Sequence, residues 1–131
     1  MTLMKKWIAV CAAALFTCAV YAAHYPEIQV TELKSAIAGK HVTILDVNGS
    51  DSYKQGHIPG AIDFTANKQK LASVLPKDKN ALIVAYCGGP KCNAYESAAK
   101  AAKELGYTNV KHLTAGISGW QAAGEKMEKG S

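Results

Sequence analysis

Apolar residues recur along this chain in two rhythms, and the order of those rhythms is the first guide to its architecture. After a short extended piece at 28–30, Leu33, Ala36 and Ile37 recur at helical spacing, with Thr31 ahead as a cap and Gly39 behind as a stop. HVTILDV (41–47) and ALIVAY (81–86) are instead nearly continuous apolar runs, as expected of strands covered on both faces in a parallel sheet. Between them lie a single helical turn at 50–55, the breaker GHIPGA, a short strand at 61–64, and a helix at 67–75 ended by Pro76. Beyond the second run come a helix at 93–105 ended by Gly106, a strand at 109–113, and a helix at 117–123 anchored in the core by Trp120. Strands alternating with helices predict a small α/β domain, with a mainly parallel sheet flanked by helices on both faces. The polar end, 125–131, is expected to fray.

The beginning of the chain follows neither rhythm. Lys5 and Lys6 precede an apolar run from Trp7 to Val20, and Val20 and Ala22 supply the small residues of a cleavage site. The run is shorter than the roughly 20 residues that span a bilayer, so a secretory signal peptide removed after Ala22 is expected, in preference to a membrane anchor. A lipid-modified Cys18 fits poorly, because Leu15, Phe16 and Thr17 stand before it. The expected organisation is a leader at 1–22, one domain at 23–128 and a disordered tail at 129–131, with a mature form that is not membrane-embedded. Cys11 and Cys18 leave with the leader, so Cys87 and Cys92 alone meet an oxidising compartment.

Charge narrows the classes of partner. All 15 basic residues are lysines, and with Lys5 and Lys6 removed the net charge falls from +5 to +3. The lysines are scattered and form no stripe, which argues against nucleic acid and for small anions.

The candidate chemistry lies in CGGPKCN (87–93), between the second apolar run and the alanine-rich helix. Cys87 ends a buried strand and faces a helix N-terminus. The backbone N–H groups of Gly88 and Gly89 and of the first helical turn, with Asn93 as the expected cap and Lys91 as a nearby cation, form a concave site for an anion. Such a site favours thiolate over thiol, which makes Cys87 a candidate nucleophile. The plainer alternative is a small apolar residue closing a core strand. Cys92, five positions on, is either a resolving thiol for Cys87 or a packing residue of the first helical turn. Asp46 ends the first strand and is expected to accept backbone hydrogen bonds, while His57 braces the turn that Pro59 and Gly60 set. In open α/β sheets, ligands collect outside the carboxyl ends of strands, where Asp46 and Cys87 both lie. Two cysteines without a histidine pattern do not make a zinc site, and no metal or other cofactor is expected.

Four blocks in order carry a resemblance: Asp46-Val47, YKQGHIPGAIDF (53–64), Tyr86-Cys87 and AGISGWQAAG (115–124). Over 26–127 the chain resembles the rhodanese-like sulfurtransferases, in particular single-domain periplasmic members of the phage-shock protein E type. That resemblance implies a small rhodanese-like domain and a periplasmic sulfurtransferase. Cys87 would take sulfane sulfur from thiosulfate or a related persulfide or polysulfide donor, hold it as a persulfide, and pass it to cyanide or to a thiol acceptor, a protein among them. Gly88, Gly89, Lys91, Cys92 and Asn93 would line the anion site. The chain departs from the family pattern at Pro90, where a glycine is usual, at Cys92, where arginine or threonine is common, and at Asn48, where an arginine often follows Asp-Val. Pro90 removes one N–H donor, and no lysine reproduces a guanidinium fork, so the donor stays open. Related phosphatases of the cell-division-cycle type place an arginine where Asn93 stands, and without it a phosphoryl group lacks its clamp. The alternative is non-enzymatic: a sulfur carrier or a thiol/disulfide redox module built on Cys87 and Cys92.

Overall fold

The two apolar runs lie side by side at the centre of the sheet, and the rest of the chain covers them. In the computed structural model, which describes residues 25–130, β1 (Thr43–Asp46) and β3 (Ile83–Tyr86) pair in parallel from Thr43 opposite Ile83 to Asp46 opposite Tyr86. The expected leader at 1–22, with Cys11 and Cys18, and the final Ser131 lie outside the described residues. Two shorter strands, β2 (Ile62–Asp63) and β4 (Val110–His112), complete a four-stranded sheet of order β2-β1-β3-β4, parallel throughout. All carboxyl ends therefore point the same way.

The pleat divides the core in two. Leu45, Ile83, Ala85 and Val110 face a cluster with Phe64, Leu71, Leu75 and Ala98, Ala99 and Ala102. These come from three helices, α3 (Phe64–Asn67), α4 (Leu71–Val74) and α5 (Tyr95–Glu104), and from Leu75, which follows α4. Ile44, Val84 and Tyr86 face the opposite cluster with Leu33, Tyr53, Ile58 and Trp120. That face is covered by α1 (Val30–Ala38), α2 (Ser50–Gln55) and α6 (Gly116–Ala122). Alanines on the buried side of α5 let its backbone lie close to the sheet, and all four β3 residues are buried.

Several boundaries differ from those expected of the sequence. The helix expected at 67–75 is two short helices joined by a 3-10 turn at Lys68–Lys70, with Asn67 and Lys70 off helical geometry. No apolar side chain lies between Ala66 and Leu71, so nothing holds the polar stretch to the core. Helix α3 starts early because the Asp63 carboxylate accepts from the Ala66 amide and caps it, which also cuts the strand at 61–64 to two residues. Thr31 is not a cap: α1 already begins at Val30, after Gln29, with no side-chain cap. Asn93 is not a side-chain cap either. Helix α5 begins at Tyr95, and Asn93 contributes only its carbonyl, which accepts from the Glu96 amide. The polar end at 125–130 does not simply fray: Glu128 pairs with His57 in an antiparallel bridge, the Lys126 carbonyl accepts from Trp120 Nε1 at 2.8 Å, and the Gly130 amide donates to the Lys54 carbonyl.

One buried polar group on β4 makes the stability of this fold depend on pH. His112 lies at the sheet edge, its backbone bonded to Pro26 and Ile28, its ring stacked on Tyr95 at 3.3 Å between centroids. Its Nε2 is buried with no hydrogen-bond partner among the described residues. Burial lowers the His112 pKa below its ordinary 6.5, outweighing the upward pull of Glu27 and Glu96. The unfolded chain therefore binds a proton more readily than the native one. The stability contribution is intact above 6.5 and is lost as pH falls toward the folded pKa. His112→Phe keeps a ring against Tyr95 and removes the titration. Thermal melts of the two proteins at about pH 7 and about pH 5.5 should show a smaller acid loss of Tm in the variant. Relief of the orphaned nitrogen, worth about 1 kcal/mol, should raise its Tm at the higher pH as well.

Candidate active site

Asp46 and Tyr86 stand opposite each other at the carboxyl ends of the two central strands, and both are fully buried. The Tyr86 hydroxyl donates to Asp46 Oδ2 and accepts from the Ile58 amide at 3.1 Å, while Asp46 Oδ1 accepts from the Asn48 amide at 2.8 Å. Burial raises the Asp46 pKa against these hydrogen bonds, which pull it down. Burial and the neighbouring carboxylate push the Tyr86 phenol up, so it keeps the proton it donates. The chain of bonds ties β1, β3 and the turn at 57–61 together just before Cys87. His57 braces the same turn from its other side. Its Nδ1–H donates to the Tyr53 carbonyl at 2.7 Å, its ring stacks on Tyr53, and Nε2 lies 3.5 Å from the Glu128 carboxylate.

Cys87 follows β3 directly and is 1% exposed. The loop after it is gripped by backbone groups at the start of α6: the Ile117 amide donates to the Cys87 carbonyl at 2.9 Å and the Ser118 amide to the Gly88 carbonyl at 3.0 Å. Gly116 makes this approach feasible. Its φ is +61°, and a Cβ there would lie 2.6 Å from Gly88 C and Gly89 N. Farther along, the Cys92 amide donates to the Gly89 carbonyl at 3.1 Å and turns the chain back. Cys87 and Cys92 are joined as a disulfide, with Cα atoms 6.2 Å apart, inside the usual range for such a bridge. The amides of Gly88, Gly89 and Lys91 donate to no acceptor among the described residues, and Pro90 has no N–H to offer. Lys91 is exposed on the loop, and Cys92 is half-buried.

The structure thus brings Cys87, Gly88, Gly89, Lys91 and Cys92 into one loop. Asp46 connects to that loop through Tyr86, while His57 has its contacts with Tyr53 and Glu128. Gly116 and Ser118, from the segment after β4, were not among the residues singled out by chemistry, although the glycine spacing of AGISGW was their visible trace. Asn48 is a further neighbour: a Cβ on Gly88 would lie 3.8 Å from its Oδ1. With Ser52, Gln55, Ile117, Gln121 and Met127 it lines a cavity of about 320 Å3 beside the loop. A larger cavity of about 470 Å3 lies along the β2 edge, between Tyr53, Lys54, Asp63 and Val74, and has no cysteine in its wall.

Comparison with known proteins places this arrangement among relatives. The profile of the Rhodanese-like domain matches residues 29–123. The thiosulfate sulfurtransferase GlpE of Shewanella oneidensis is 30% identical over 102 residues, covering 76% of this chain and 95% of that one. The HTH-type transcriptional regulator Rv0324 of Mycobacterium tuberculosis is 36% identical over 110 residues, 81% of this chain; the chain spans about half of that relative, 47%. Among solved structures, the BH2092 protein of Bacillus halodurans superposes with a TM-score of 0.63 at 28% identity, covering 80% of this chain and 77% of that one.

The grip on the loop can be tested by comparing two glycines. Gly124 also has a positive φ, +75°, but a Cβ there would meet nothing within 4 Å. Gly124→Ala should cost about 1 kcal/mol from backbone strain alone. Gly116→Ala adds collision with the loop backbone and should cost about 3 kcal/mol or more in urea unfolding, with altered alkylation of Cys87 in the reduced protein. Equal losses at the two sites would show that the close approach contributes nothing.

Proposed function

The chain belongs to the rhodanese-like domain family, and on that premise we propose that it is a sulfurtransferase working through a persulfide on Cys87. The observation that carries this reading is the position of Cys87 at the carboxyl end of β3, at the head of a loop with three unengaged amides. In the dithiol form, the Cys87 thiolate attacks the outer sulfur of the donor. With thiosulfate, the S–S bond breaks and sulfite leaves with the bonding pair. An acceptor nucleophile, cyanide or a thiolate, then attacks the outer sulfur of the persulfide and returns Cys87 as thiolate. The loop faces an anion at each stage, and fixed N–H donors stabilise it without reorganising. Asp46 and Tyr86 act as positioning residues, holding the end of β3 so that the loop is presented in one geometry.

The site contains no arginine, and Pro90 withholds one donor from the loop. A bulky, doubly charged donor such as thiosulfate gains less from this loop than from one with guanidinium forks. Alkyl persulfides, with a single charge on the reacting group, are therefore the better donors in this reading. Export to the periplasm is part of the proposal and is supported by the leader-like pattern over residues 1–22. The alternative of a thiol/disulfide redox module draws support from the Cys87–Cys92 bond itself.

The test begins with reduction of the disulfide and removal of the reductant. Incubated with thiosulfate in the presence of excess cyanide, which competes with Cys92 for the persulfide, the protein should form thiocyanate. Cys87→Ser should lose that activity by roughly 10³-fold or more, as expected for a removed nucleophile. After subtraction of the protein-free rate, an alkyl persulfide should support faster turnover than thiosulfate. Thiocyanate formation by Cys87→Ser within about tenfold of the parent would rule out the covalent route.

A further inference from the structure

We propose that Cys92 makes this a sulfide-releasing site: it displaces the sulfane sulfur from the Cys87 persulfide as hydrosulfide, leaving the Cys87–Cys92 disulfide, which an external dithiol reopens at Cys92. The inference rests on sulfur loading at Cys87 and adds a second activity to it, a thiol-dependent reduction of sulfane sulfur.

Geometry supplies the reach. In a persulfide on Cys87 the inner sulfur is Cys87 Sγ, the atom to which Cys92 Sγ is bonded in the structure. The bond coexists with the hydrogen bonds that define the loop, from the Cys92 amide to Gly89 and from the Ile117 and Ser118 amides to Cys87 and Gly88. Cys92 thus reaches its target within the folded loop. The Cys92 thiolate attacks Cys87 Sγ of the protonated persulfide, the bond from Cys87 Sγ to the outer sulfur breaks, and the outer sulfur leaves with the bonding pair and its own proton as HS⁻. Sulfane sulfur is reduced to sulfide, and the two thiols are oxidised to the disulfide, so the electrons balance with no further reagent.

Burial sets the direction of reopening. Cys87 is 1% exposed, whereas Cys92 is half-buried. An incoming thiolate therefore meets Cys92 Sγ, and Cys87 is the leaving thiolate, beside the unengaged amides of Gly88, Gly89 and Lys91. The second thiol of the dithiol then attacks the mixed disulfide on Cys92, releasing Cys92 and the oxidised dithiol. This order regenerates Cys87 as the anion needed for the next sulfur.

A single-turnover experiment separates this step from loading. The full-length protein is reduced, freed of reductant without air, and mixed with thiosulfate or benzenethiosulfonate. Their leaving groups are sulfite and a sulfinate, so any sulfide comes from the later step. Sulfite or sulfinate, sulfide and intact mass are measured together on the parent, Cys92→Ser, Cys92→Ala and Cys87→Ser. The parent should release sulfide in step with sulfite or sulfinate and end as the disulfide. Both Cys92 variants should release sulfite or sulfinate, retain one added sulfur on Cys87, and yield about tenfold less sulfide or lower still. A limiting monothiol added to the oxidised parent should leave its adduct on Cys92 in peptide maps. A stable persulfide on the parent without sulfide overturns the inference while leaving sulfur loading intact. Equal sulfide from the Cys92 variants, or adducts confined to Cys87, overturns it too. Failure of every protein to release sulfite or sulfinate removes the loading step and the inference with it.

Discussion

A carboxylate buried at the end of a central strand is costly unless its oxygens are engaged, and in this protein Asp46 is the point where that requirement organises the structure. Its two oxygens hold the Tyr86 hydroxyl and the Asn48 amide, and the hydroxyl in turn takes the Ile58 amide. Three segments are thereby fixed to one another: the end of β1, the end of β3 and the turn carrying His57, Ile58 and Pro59. Loss of one member would leave a buried partner unpaired, and each such group costs about 1–3 kcal/mol. The arrangement matters for chemistry because Tyr86 immediately precedes Cys87.

The loop beyond Cys87 depends on a second constraint, this one of space. Two backbone segments can lie in van der Waals contact with hydrogen bonds between them only where no side chain intervenes. Gly116 supplies that gap and the positive φ that turns β4 into α6. The Ile117 and Ser118 amides of α6 are thus spent on the carbonyls of the loop, while the amides of Gly88, Gly89 and Lys91 have no acceptor among the described residues. Gly89 adds to the same fit, since a Cβ there would lie 2.9 Å from Ser118 Oγ. The proposed anion site is made of backbone, and the specificity proposed for it follows from that material. Fixed dipoles suit small sulfur anions that come and go from one atom, whereas the forked recognition of a phosphoryl group needs the arginine that this chain lacks.

Cys92 gives the loop a second chemical state. Proposed sulfur loading needs the dithiol form, yet the structure carries the disulfide. The proposal draws sulfane-sulfur chemistry and thiol oxidation into one cycle, because the group that receives sulfur and the group that closes the bridge belong to the same six-residue loop. Neither cysteine belongs to either core cluster.

Much of this was legible in the order of residues. Continuous apolar runs marked β1 and β3, the alternation with helical spacing indicated a parallel sheet covered on both sides, and the glycine-rich turn between a strand and an alanine-rich helix located the candidate site. These signals are local, carried by periodicity and turn chemistry within a dozen residues. What tertiary structure decided are the contacts between distant segments: Asp46 with Tyr86, 40 residues away, the polar end folded back onto His57, and the first turn of α6 against the loop. The boundary errors have other origins. Asp63 caps a helix by a local bond to the Ala66 amide where the strand pattern continues, and the stretch from Asn67 to Lys70 bends because no core contact holds it. The sequence by itself determined which elements form and which thiol ends the central strand, because propensity and apolar patterning act over neighbouring residues. Only the tertiary structure decided that α6 supports the loop of Cys87 and Cys92 and that Asp46 meets Tyr86, because those contacts depend on how separate elements pack.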